Sequence, residues 1–149
     1  MHKIFLLLVV FQIKHYLADY PFQTSYMMGK FKRDFSHVLP LACHAGVHAS
    51  ITLVIVCFGF HPSLAWLAIV DFCSHYAMDR VKASPDLLGR YKALSAKEYM
   101  EVVNSPNSLI PGTDEYKAIK GNRYFWLSLG FDQLWHHMTH YYIIYKMVC

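Results

Sequence analysis

Apolar residues run in long stretches along this chain, and the polar residues inside those stretches recur at a helical spacing. Residues 4–26 are mainly apolar, interrupted by Lys14, His15, Asp19 and Gln23. Residues 40–60 and 63–82 form two further stretches joined at His61-Pro62, and residues 123–147 form a fourth. Each is close to the roughly 20 residues that an α-helix needs to cross a ~30 Å hydrocarbon core. Pro21 is expected to end the regular first helix just after Asp19. Ser36 is placed to cap the second helix, and Pro62 suits the first turn of the third. So short a connection makes the second and third helices antiparallel neighbours.

Residues 83–121 make up the one polar stretch, broken by Pro85, Pro106, Pro111 and Gly112. Within it Ser95-Ala-Lys-Glu98 matches a capping box and predicts a short helix over 95–103, with Tyr99, Met100 and Val103 free to face a membrane surface or the bundle. The expected fold is an all-α membrane protein: four transmembrane helices in a bundle, with one longer cytoplasmic loop containing a short helix. Residues 1–149 form a single integral-membrane domain on this reading.

Composition agrees. The 149 residues are 55% hydrophobic, 16% aromatic and 16% charged, with mean hydropathy +0.22, which is unlike an ordinary soluble domain. Cys43, Cys57, Cys73 and Cys149 make no Cys-x-x-Cys pair, so neither a zinc ribbon nor a disulfide framework is expected. The apolar run 4–11 has no small-residue cleavage site after it and reads as a retained first helix. The net charge of +4 comes from basic residues in loops beside the apolar stretches. Contact with anionic lipid headgroups accounts for them, and no nucleic-acid partner is expected. Lys30, Lys32 and Arg33 in one loop and Arg80, Lys82, Arg90, Lys92, Lys97, Lys117, Lys120 and Arg123 in the other face only Lys3 and Lys146 on the opposite side. Such an excess puts both longer loops in the cytoplasm and both termini outside it.

Candidate chemistry lies in the polar interruptions. His15 and Asp19, His44 and His48, His75 and Asp79, and Asp132 and His136 are four pairs spaced four residues apart. That spacing puts both members on one helix face, one turn apart. On the expected topology the four pairs lie at nearly one depth in the cytoplasmic half, with Asp132 and His136 somewhat deeper. Eight ligand-type side chains converging from four helices are the arrangement that bundles use for one or two metal ions, and a dinuclear centre is expected. Imidazole and carboxylate without thiolate suit Zn foremost, with Mn or Fe as alternatives. Metal would also offset the ~2.5–3.5 kcal/mol cost of an aspartate at a membrane helix centre.

Gln23 and Gln133 are read as groups that hydrogen-bond to ligands or substrate. Asp71, one turn before His75, and His140 stand at the edge of the set, as a ligand or a supporting partner. Lys14 either snorkels or stabilises an anionic substrate. His137 is read as solvated or at the lipid interface, and His2, His37 and His61 as interfacial. Ala42, Ala45, Gly46 and Ala49 favour close helix approach.

The ordered set His15-x-x-x-Asp19-Tyr-Pro-x-Gln23, His44-x-x-x-His48, His75-x-x-x-Asp79 and Asp132-Gln133-x-x-His136 resembles a bacterial and phage family of small polytopic membrane proteins known as a domain of unknown function. It is similar in style to membrane-bound metal-dependent hydrolases, whose intramembrane His and Asp residues serve as ligands. The family resemblance implies a bacterial inner membrane, and the second likeness implies a hydrolase. A site in the cytoplasmic half of the bilayer points to a lipid or other amphiphilic substrate, with Asp19 or Asp79, where not fully engaged as a ligand, as general base. Two other classes remain open at this point: a membrane diiron oxidase or hydroxylase, and a non-enzymatic metal transporter.

Overall fold

The computed structural model of the protein describes residues 2–32, 34–84, 96–116 and 123–149. Regular structure there is helical, with no strand among the described residues. Four long helices, α1 (His2–Asp19), α2 (Val38–Gly59), α3 (Trp66–Ala83) and α5 (Arg123–Val148), form the body, and α4 (Ala96–Val103) is the short helix expected in the polar loop. Met100 and Val103 on α4 are exposed. Ser95, the expected cap of α4, lies outside the described residues, as do Arg33, Arg90, Lys92, Lys117 and Lys120.

α1 stops at Asp19, where the approaching Pro21 predicts it. Ser36, by contrast, does not cap α2. It lies in a one-turn 3-10 helix (Phe35–His37) that runs straight into α2, and its hydroxyl donates to Asp34 Oδ1. The short local bond competes with capping, as is usual for Asx and Ser turns, and it holds the exposed Asp34 carboxyl below its ordinary value. Pro62 likewise opens a separate 3-10 turn (Pro62–Leu64), and the His61 ring accepts the Ser63 N–H at 3.3 Å. α3 begins only at Trp66.

α2 packs most extensively on α3, and contacts of α3 with α5, α5 with α1 and α1 with α2 close a four-helix ring. Polar bonds help to lock the α3–α5 side: the Ser74 and Thr139 hydroxyls are 2.6 Å apart, and Trp135 Nε1 donates to Ser74 Oγ at 2.8 Å. One end of the ring is filled by Leu7, Phe11, Val56, Leu67, Ile143, Ile144 and Met147. Toward the other end the buried side chains become polar, and they include Lys14, His15, His44, His48, Asp71, His75, Asp79, Asp132, His136 and His140. Large apolar side chains meanwhile cover the outside, with Phe5 70% and Phe58 88% exposed and Ile69, Leu127 and Leu134 beside them in character. The molecule is polar inside and apolar outside over much of its length.

By length and apolarity alone, one helix among the described residues qualifies as a membrane span, the segment Phe35–Gly59 with mean hydropathy 1.9. The four-span expectation is not met by that criterion. Charged and other polar residues interrupt the remaining three: Lys3, Lys14 and Asp19 in α1, Asp71, Asp79, Arg80 and Lys82 in α3, and Arg123, Asp132 and Lys146 in α5.

A third 3-10 turn, Met27–Phe31, packs against α2 at the polar end of the ring and against α3. Gly29 permits the approach, because a Cβ there would lie 2.9 Å from Pro40 Cγ, inside the ~3.5–4.0 Å optimum for carbon contacts. Gly29→Ala is expected to cost about 1–3 kcal/mol as an overpacking change. A lowered midpoint of thermal unfolding checks this, and an unchanged midpoint would mean that the turn yields freely.

Candidate metal centre

Each long helix turns a ladder of side chains inward. α2 contributes His44, His48 and Thr52, α3 contributes Asp71, His75 and Asp79, and α5 contributes Asp132, His136 and His140, each set advancing four residues per rung. α1 adds His15 and Asp19, with Lys14 beside them. All are buried except Asp19, whose side chain is 26% exposed.

At the deepest rung Lys14 Nζ donates to Asp71 Oδ2 at 2.6 Å, and Thr52 donates to the same oxygen at 2.7 Å. The ammonium also lies 3.3 Å from both His48 Nδ1 and His140 Nε2. Asp71 Oδ1 faces His75 Nδ1 at 3.1 Å and His140 Nε2 at 3.7 Å. Lys14 therefore does not snorkel: it is 2% exposed and supplies the positive charge opposite Asp71.

The middle rung is a stack of imidazoles. His75 lies between His48 and His136, with ring centroids 3.7 and 4.1 Å away, and the His15 ring stands 5.2 to 5.7 Å from all three. Next toward the polar end comes Asp19, which gathers His15 Nε2 at 3.1 Å, His48 Nε2 at 3.1 Å and His44 Nε2 at 3.4 Å. His44 Nε2 is also 3.0 Å from Asp79 Oδ2. His136 Nε2 faces Asp132 Oδ1 at 3.2 Å and Asp79 Oδ1 at 3.7 Å.

Asp132 thus lies level with Asp79 rather than deeper, as the sequence suggested. The nine residues from Arg123 to Asp132 carry α5 roughly 14 Å along its axis, so Arg123 starts beyond the open, polar end of the site. The open end is a cleft of about 180 Å³ lined by Asp19, Gln23, Lys30, Asp79, Lys82 and Gln133 with Tyr20, Phe31, Ala83 and Leu129. Two lysines that sequence reasoning assigned only to basic loops enter it. Lys30 Nζ donates to Asp79 Oδ2 at 3.0 Å and to Gln23 Oε1 at 3.1 Å. Lys82 Nζ donates to Asp132 Oδ2 at 2.6 Å, and Gln133 Nε2 donates to that oxygen at 3.3 Å.

All eight expected ligands come together, and Asp71 and His140 join them. Donor atoms lie within 4.8 Å of one another in each of four groups: His15, His48 and His75; Asp19, His44 and His48; Asp71, His75 and His140; and Asp79, Asp132 and His136. His137 enters none of these groups, and Gln23 and Gln133 line the cleft as expected. Several buried polar atoms here make no hydrogen bond, among them His15 Nδ1, His44 Nδ1, His75 Nε2 and His136 Nδ1. Burying such groups without a partner is costly. A cation among His15, His48 and His75 is one way to satisfy the His15 and His75 atoms, whereas His44 Nδ1 and His136 Nδ1 are the ring nitrogens opposite those that meet the aspartates. The nitrogen and oxygen donor set of the cluster fits a borderline divalent metal.

Fold and site together define an all-helical protein whose interior is a closely spaced histidine and aspartate cluster. More particularly, the chain belongs to the family described as "Protein of unknown function (DUF3307)", whose model matches residues 7–148. No curated protein and no solved structure matches the chain.

Proposed function

We propose that this chain is a four-span integral-membrane hydrolase, dependent on a divalent metal held inside the bundle and acting on a lipid or other amphiphilic substrate. The observation that carries this reading is the inverted distribution of side chains. A histidine and aspartate interior is wrapped in exposed Phe5, Leu6, Phe58, Ile69 and Leu127, an arrangement costly in water and natural in hydrocarbon. Helices too polar to qualify by composition span on this reading because Lys14 faces Asp71, Lys30 faces Asp79 and Lys82 faces Asp132 inside the bundle.

His15, Asp19, His44, His48, His75, Asp79, Asp132 and His136 would hold the metal. Two ions are accommodated on the proposal, one by Asp19, His44 and His48 and one by Asp79, Asp132 and His136. A divalent ion, when bound, supplies Lewis-acid chemistry and can lower the pKa of water toward ~7. Both aspartates line the cleft, but Asp19 is the better placed base, its side chain being 26% exposed against 7% for Asp79, which Lys30 also holds. The apolar plug around Phe11 and Ile143 supports an enzyme over a transporter, since it fills the end of the bundle opposite the cleft.

Elemental mass spectrometry of the purified chain is expected to find at least one equivalent of Zn, Mn or Fe per chain. Metal-free protein would sink the reading, and iron with an oxygen-dependent optical change would replace hydrolysis by oxidative chemistry. Topology has its own check, because Cys149 is exposed at the end of α5. With Cys43, Cys57 and Cys73 changed to serine, a membrane-impermeant thiol reagent should label Cys149 in intact spheroplasts. Labelling only after lysis would place the C-terminus in the cytoplasm and reverse the orientation.

A further inference from the structure

We infer that the cleft at the open end binds a phosphate group, and that Lys30 and Lys82 are the residues that receive it. The inference rests on the metal-dependent reading above and names the substrate's reacting class as a phosphate ester.

Both lysines are bound in the same manner. Each ammonium holds the Oδ2 atom of an aspartate, Asp79 for Lys30 and Asp132 for Lys82, while the Oδ1 atoms of those aspartates point toward His136 Nε2 at 3.7 and 3.2 Å. The inner oxygens are thereby left for metal, and the ammonium groups stand on the cleft side of the carboxylates. Asp19 and Asp79 line the cleft with Lys30 and Lys82, and Asp132 lies against Lys82. With the imidazoles neutral, as metal ligation requires, these five groups carry one excess negative charge, while Lys14 and Asp71 neutralise each other deeper in the bundle. A single divalent ion reverses that sign. The loaded cleft then attracts an anion, and two ammonium groups one carboxylate away from the metal are positioned to meet it.

The donors are suited to a tetrahedral oxyanion with several acceptor oxygens. Each ammonium has three N–H donors, more than the carboxylate bonds use. Gln23 Nε2 is spent on Met28 Sδ at 3.4 Å, a poor acceptor that a phosphate oxygen would displace. A space of about 180 Å³ is below the ~300 Å³ at which drug-sized pockets begin. It admits a headgroup while acyl chains remain between the helices and the surrounding lipid. A lipid phosphate and a free phosphate share this chemistry.

The test titrates inorganic phosphate, and separately mixed micelles containing phosphatidic acid or diacylglycerol, into the purified full chain in zinc-loaded and chelator-treated forms. Phosphate and phosphatidic acid should bind the zinc-loaded chain, and diacylglycerol should not. Much tighter binding of phosphatidic acid identifies a lipid headgroup as the source; equal binding identifies the free phosphate group. Lys82→Gln should weaken either ligand about tenfold, the loss of one charge-assisted bond, and Lys82→Arg should retain most of the binding. The Lys82 side chain is 34% exposed but its Asp132 partner is buried; a glutamine amide can still donate to that carboxylate, and circular dichroism with elemental analysis verifies that the fold and the metal content of Lys82→Gln are retained. Binding that is the same in loaded and chelated protein, or in wild type and Lys82→Gln, overturns the inference. Elemental analysis of the same samples separates the two failures: a chain without metal overturns both readings, and a metal-loaded chain indifferent to phosphate overturns only this one.

Discussion

His48→Ala is expected to strip the chain of metal while leaving its helices assembled. His48 belongs to two of the four donor groups, beside His15 and His75 in one and beside Asp19 and His44 in the other. Its Nε2 lies 3.1 Å from Asp19 and its ring is 3.7 Å from that of His75, so no other single imidazole joins as many donors from α1, α2 and α3. Losing a group that merely orients a ligand costs ~10–100-fold in metal affinity, and loss of a ligand itself should exceed that. Elemental mass spectrometry gives the metal content, and circular dichroism with size-exclusion chromatography reports the fold. Were the imidazoles only interhelical hydrogen-bonding groups, the same variant would melt earlier with its metal content unaltered. His2→Ala, at an exposed position, serves as the control and should change neither quantity.

Much of this arrangement is legible in the sequence because helix geometry translates spacing directly into position. Two residues four apart share a face whatever the tertiary structure, so the pairs on α1, α2, α3 and α5 could be read before the helices were placed. The pairs are in fact fragments of longer ladders. Asp71, His75 and Asp79 continue at the same spacing, as do Asp132, His136 and His140, and a reading in pairs undervalued the deepest rung. Thr52, one turn beyond His48, is the same signal in a residue that is not a metal ligand, and it bonds Asp71.

Lys30 and Lys82 were not legible in that way. Lys30 reaches Asp79 only because Gly29 lets its turn close on Pro40, a contact between segments that no local period encodes. Lys82 occupies the last turn of α3, where a basic residue is expected for helix-dipole reasons alone, and its bond to Asp132 depends on α5 crossing at that level. Depth along α5 failed for a related reason: a charged residue such as Arg123 marks an edge in sequence without fixing where the helix sits.

Lys14→Met should be among the most damaging single changes in the chain, with a loss of about 3–5 kcal/mol, the range for removing one partner of a buried ion pair. The Asp71 carboxylate is fully buried and receives Lys14 at 2.6 Å and Thr52 at 2.7 Å on one oxygen. Without the ammonium it would keep one neutral hydroxyl donor and two imidazoles, His75 and His140, at 3.1 and 3.7 Å. Adding Asp71→Asn to Lys14→Met should recover most of the loss, since replacing both members of a buried pair by neutral groups is often close to neutral in stability, and the asparagine can still accept from Thr52. The measurement is a double-mutant cycle on the unfolding midpoint of the purified chain. A strong positive coupling would establish Lys14 and Asp71 as one unit, the internal counter-ion that lets the deep rung exist without a metal. Losses that simply add would mean that Asp71 draws its positive charge from elsewhere in the interior, and the deep group of Asp71, His75 and His140 would then compete with the upper groups for metal.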